Sequence, residues 1–168
     1  MGDDAKPSGP SADDLAAMAR YAGELADGLA EAVPAWVRRC VETVYVERML
    51  RRPPDEVATA AERAAAAAAD DVVPRIRTLL AADIDDQTTN PLSLVRPAVR
   101  HPTEVLRAAG VPPAPRDDMA RRQFPDDVYD LTPASFAELD PALHEPGLRW
   151  GAAKAHVHLA RRRAEGRR

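Results

Sequence analysis

The sequence predicts an all-α protein: a single-domain helical bundle in which short, proline-punctuated helices and loops pack around a central C-terminal helix. Three observations predict it. Apolar residues recur at alternating steps of three and four over most of the first eighty residues, the period of a helix with one buried face. The 45% apolar content is largely alanine and only 4% of residues are aromatic, so the core must be Ala, Leu and Val on closely packed helices. Ten of the 16 prolines fall after residue 90, which breaks the second half into short helices joined by rigid turns.

Taken in order, residues 1–10 read as a polar tail. Ser11 followed by Asp14 resembles a capping box. Behind it Leu15, Met18, Ala22, Leu25 and Leu29 form one stripe on a helix expected over 12–31. Pro34 suits a first helical turn, so a second helix is expected over 34–50, with Trp36, Val37, Cys40, Val41 and Val44 as its stripe. Its VETVYV run also fits a strand. Arg51-Arg52-Pro53-Pro54 ends it. Asp55 and Glu56 then place acids at the positive end of a third helix, 55–82, whose six alanines from Ala64 to Ala69 allow close approach by a neighbour. Pro74 is expected to kink or split that helix.

Asn90-Pro91 starts a short helix that Pro97 bends. His101-Pro102-Thr103-Glu104 starts another, stopped by Gly110. Residues 111–147 read as a segment wrapped over the helices. The last helix, 148–163, carries one stripe of Leu148, Ala152, Ala155 and Leu159 and a second of Trp150, Ala153, Val157 and Ala160. Two apolar sides imply a helix sandwiched between layers. One domain over 11–163 follows, with 164–168 as a basic tail.

Charge is uneven. Residues 1–90 hold 17 acids and 10 bases, whereas residues 91–168 hold 10 acids and 13 bases. Of the 23 bases 21 are arginine, which together with the abundant Ala and Pro reads as a GC-rich genome rather than as phosphate recognition. Cys40 is the single cysteine, so no internal disulfide and no cysteine-based zinc site can form. The first residues lack the basic and apolar regions of a signal peptide, and no stretch has the apolar length of a membrane span. Lys6 stands where a lipid-anchor motif needs Ser or Thr. A cytoplasmic location is expected.

Four groups of residues are candidates for chemistry. Asp83, Asp85 and Asp86, with Asn90, Arg96, His101 and Glu104, form a polar joint that could line a ligand or metal site. Counted from Asp83, a calcium loop fails: Thr88, Asn90 and Leu94 stand where it needs glycine, an apolar residue and glutamate. The favoured reading makes the acids helix caps paired with Arg96, Arg100 or a remote arginine. On the last helix His156 and His158 are two residues apart, so they point about 200° apart and cannot share an ion. His156 is expected to be buried, while His158 with Arg161 and Arg162 could contact an anion. Seven bases in the last twenty residues could attract nucleic acid, but a solvated helix end explains them as well. Cys40 sits on an apolar stripe and reads as core, and no G-x-S-x-G, P-loop or G-x-G-x-x-G is present.

The stretches DDQTTNPLSLVR, PTEVLRAAGVPP, FPDDVYDLTPASF and WGAAKAHVHLARRR together resemble an uncharacterised family of small helical actinobacterial proteins, over residues 83–163. The resemblance implies a bacterial cytosolic setting and no assigned activity, and no functional residue carries over from it. The leading expectation is a non-enzymatic interaction or regulatory module acting through a protein partner or self-association, without cofactor or metal. The alternative is a small ligand- or metal-binding protein, or an enzyme, with its site at residues 83–104. The third is weak nucleic-acid binding through the basic helix.

Overall fold

Helix formation begins at Ser11, whose hydroxyl accepts the Asp14 amide at 3.1 Å while the Asp14 carboxylate accepts the Ser11 amide at 3.0 Å. This reciprocal pair satisfies two amides that have no partner within the helix. The computed structural model describes residues 9–82 and 91–166. Asp83, Asp85, Asp86 and Asn90 of the expected polar joint lie outside the described residues.

The first helix, α1, spans Ala12–Met49 without interruption, so the two helices expected over 12–31 and 34–50 are one. An internal proline removes a helical hydrogen bond and costs about 3 kcal/mol relative to alanine. The buried seam shows what offsets that cost: Leu29, Val33, Trp36 and Val37 face the core on both sides of Pro34. The VETVYV run is helical too, with Val44 and Tyr45 buried.

Leu50 ends α1 in the left-handed region, at φ 55°. After the reversal, α2 spans Asp55–Ala81 and runs through Pro74. Ala61, Ala65, Ala68, Val72, Ile76 and Leu80 make its buried face, and α1 and α2 pack along their lengths. Small side chains on that face let the two backbones approach closely, as the alanine run suggested.

Three short pieces follow as one bent rod: α3 (Pro91–Val95), a tight 3-10 turn (Arg96–Val99) holding Pro97, and α4 (Arg100–Ala108). Gly110, at φ 72°, stops α4. The Val111 amide donates to the Leu106 carbonyl and the Gly110 amide to that of Arg107, both at 3.0 Å. That double bond pattern is a Schellman stop, and it places Val111 against the buried Leu106.

The wrap expected over 111–147 is four residues shorter, 111–143, because the last helix begins at His144. It contains α5 (Asp118–Gln123), α6 (Phe136–Leu139) and a second 3-10 turn (Pro141–Leu143). Tyr129, Leu139 and Leu143 anchor the wrap in the core. Where α1 meets the second 3-10 turn the packing is tight: a Cβ on Gly28 would stand 2.6 Å from Leu143 Cδ2, so that side chain would have to shift.

The last helix, α7, spans His144–Glu165 and takes Pro146 in its first turn, where a proline displaces no helical bond. The result is an all-α single domain with no strand among the described residues. The burial of α7 differs from the expected sandwich. Only the stripe of Trp150, Ala153 and Val157 meets α1, with Met18 covering Val157. Leu148 and Leu159 on the other stripe are 56% and 52% exposed. The helix at the centre is α1, which contacts α2, α4, α6, α7 and both 3-10 turns. No helix among the described residues is long and apolar enough to cross a membrane.

Candidate functional site

Two of the three described residues of the expected polar joint meet. Arg96 and Glu104 line one open cleft of about 500 Å³, with Arg100 and Arg107. On the rod these four follow one another at steps of four, four and three, so they share a face. His101 does not join them. It lies about 100° round the helix from Arg100, is only 7% exposed, and turns its Nε2 to the Asp71 carboxylate of α2 at 3.4 Å. Asp71 also accepts Arg100 Nη2 at 2.9 Å and pairs with Arg75 at 3.4 Å. His101 is thus part of the joint between α2 and α4.

The opposite wall comes from the wrap: Asp126, Asp127 and Thr132. Its shape is held by side chains that bond backbone. Arg116 donates to the carbonyls of Ala120 at 2.7 Å and Phe124 at 2.8 Å, and to that of Asp127. Asp127 is 4% exposed, and its carboxylate takes the Leu131 amide at 2.8 and 2.9 Å, the Thr132 amide at 2.7 Å and the Thr132 hydroxyl at 2.6 Å. Tyr129 donates its hydroxyl to the Val111 carbonyl at 2.7 Å, and burial pushes its ionisation upward. At one end the walls touch, where the Arg96 guanidinium lies 4.7 Å above the Phe124 ring.

Sequence reasoning missed Arg107, Asp126, Asp127, Thr132 and Arg116. Arg107 was legible, being three residues after Glu104 on the same helical face. The others lie in a stretch without periodicity and carry no spacing signal. Among the described residues, no group of three or more His, Cys, Asp or Glu is placed to hold a metal.

A second surface lies on α7. Leu148, Ala152, Ala155 and Leu159 recur at steps of four, three and four, the seam of a two-helix contact, and all four are exposed. Arg149, His156 and Arg163 repeat every seven residues along one edge of that seam, and Arg162 lies on the other. His156, expected to be buried, is exposed, because it projects on the seam side rather than beside Val157. Its Nε2 stands 3.3 Å from Asp14 Oδ1. Hydrogen bonds from Ser11, the hydroxyl first and the amide second, hold the Asp14 carboxyl below its ordinary value of 3.8, with His156 adding to the effect. Of the expected anion contacts, Arg162 is exposed, while His158 and Arg161 are half-buried and engaged with other residues.

Comparison with protein-family models, with curated proteins and with solved structures found no match to this chain.

Proposed function

We propose that this protein is a cytoplasmic, non-enzymatic interaction module that docks an acidic amphipathic helix of a partner protein along the outer face of α7. The observation that carries the reading is the exposed seam of Leu148, Ala152, Ala155 and Leu159 with its basic edge. The seam runs about 17 Å along the helix at 1.5 Å per residue. Its two alanines let a partner backbone come close, and the two leucines act as knobs at either end. A narrow apolar strip of this kind is covered best by another helix.

The charges select which helix. Arg149, Arg162 and Arg163 border the seam, so a partner with Asp or Glu beside its own apolar stripe is favoured. A second copy of α7 would bring these arginine rows against each other, and like charges in an interface oppose association.

The test places a photo-crosslinking residue at Ala155 and irradiates the protein in a bacterial lysate. The expected product joins α7 to an acid-rich, helix-forming segment. It should disappear in the Leu148→Asp, Leu159→Asp double variant and weaken at about 0.3 M salt, where exposed charges are screened. Crosslinks to a second copy, to nucleic acid, or to the same proteins in the double variant would overturn the reading.

A further inference from the structure

We propose that the cleft between α4 and the wrap binds a small zwitterion, a free α-amino acid or a molecule presenting an ammonium and a carboxylate in the same way. The argument starts from which charges are already committed. Arg100 is bound to Asp71, and Asp127 is consumed by the Leu131 and Thr132 donors. The Thr103 hydroxyl donates to the Val99 carbonyl at 2.7 Å. That leaves two guanidiniums, Arg96 and Arg107, and two carboxylates, Glu104 and Asp126, around one space. Arg96 rests its flat face on Phe124, which leaves its N–H edge open.

These opposite charges do not neutralise one another. No ion pair joins them among the described residues. Glu104 stands three residues before Arg107, a spacing at which helical ion pairs form readily, yet the two side chains remain apart. Arg100 is tied to α2, and the wrap's own shape is held by the Arg116 and Asp127 bonds. A ligand of one sign would satisfy half of the groups and be repelled by the rest. A ligand carrying both signs can set its carboxylate against the guanidiniums and its ammonium against the carboxylates. Pro97 and Val99 supply apolar wall for its carbon skeleton. A cleft of about 500 Å³ suits one small molecule.

Isothermal titration of the full chain with each standard amino acid, and with the N-acetyl and methyl-ester derivatives of any that binds, tests this. At least one amino acid should bind saturably, with Kd of about 0.1–1 mM. Acetylation and esterification should each weaken binding at least about tenfold. Glu104→Gln and Arg107→Gln should do the same. Both side chains are exposed, so the variants should keep the parent's amide spectrum and melting temperature. A derivative that binds as well as the free amino acid would reduce the cleft to an anion or a cation site. No saturable binding at about 10 mM, some tenfold above the weakest expected Kd, or binding unchanged in both variants, would overturn the proposal.

Discussion

Replacing Asp127 by alanine is expected to destabilise the fold by about 3 kcal/mol. The side chain is 4% exposed, and three donors converge on it: the amides of Leu131 and Thr132 and the Thr132 hydroxyl. Leaving a buried donor without an acceptor costs about 1–3 kcal/mol. The hydroxyl can rotate to another acceptor, so two amides set the magnitude. Leu131 and Thr132 are only half-buried, so some water can reach the freed amides, which argues for the lower half of the combined range of about 2–6 kcal/mol. Asp127→Asn separates charge from shape. It keeps one acceptor oxygen but sets an amide nitrogen opposite the Leu131 N–H, and should cost about 1–2 kcal/mol. Urea unfolding at pH 7 measures both. In a chain of this size each kcal/mol lowers Tm by about 2–4 °C, so the alanine variant should melt roughly 6–12 °C below the parent. An alanine variant within about 0.5 kcal/mol of the parent, which is the ordinary range for a surface change, would refute the clasp. So would an asparagine variant less stable than the alanine one.

Leu50→Gly should stabilise the protein by about 0.5–1 kcal/mol. Leu50 holds φ 55° and is 88% exposed, so glycine relieves left-handed strain and gives up little burial; a lower urea midpoint would show that the reversal after α1 is not strained. Burial pushes the Cys40 thiol from its ordinary value of 9.0 up to about 12. It should therefore resist a disulfide reagent at pH 8 and react on addition of urea. Below pH 9 folded and unfolded chains both carry the neutral thiol. Between about 9 and 12 the unfolded chain ionises first, so this group lowers stability as pH rises, and Cys40→Ala should flatten that part of the stability profile. Rapid labelling of the native protein at pH 8 would count against the burial of this thiol.

The fold was legible wherever one periodic stripe dominated. Met18, Ala22, Leu25 and Leu29 were read as the buried face of a helix, and all are buried. Leu15 from the same stripe stays 37% exposed beside the helix start, because a stripe gives direction but not the length of the neighbour that covers it. Pro34 is a helix-start signal by local rules alone, and the seam beyond it overrides that signal. Val33, Trp36 and Val37 continue the spacing of Leu25 and Leu29, and that continuity was already visible as a reason to keep one helix. The last helix failed differently. Its two stripes are both apolar, so periodicity alone cannot rank them. Bulk can: the stripe that holds Trp150, the largest side chain of the helix, is the one that turns to the core.

The two candidate surfaces divide along the same line. The α7 seam and the α4 wall of the cleft are helical faces, so their members can be found by counting residues; Arg96, Arg100, Glu104 and Arg107 recur at steps of four, four and three. The opposite cleft wall is held by bonds from side chains to backbone. Arg116 adds a second donor to the carbonyls of Ala120 and Phe124, which already take the amides of Phe124 and Asp127, and Asp127 gathers the amides of Leu131 and Thr132. Such bonds join residues 4 to 11 positions apart at no fixed interval, so they leave no period in the sequence. The trace they do leave is chemical: charged residues among the apolar anchors of a proline-rich wrap, where a buried unpaired charge would be costly. Charged residues beside the wrap's apolar anchors are therefore the places in this chain where backbone partners should be sought first.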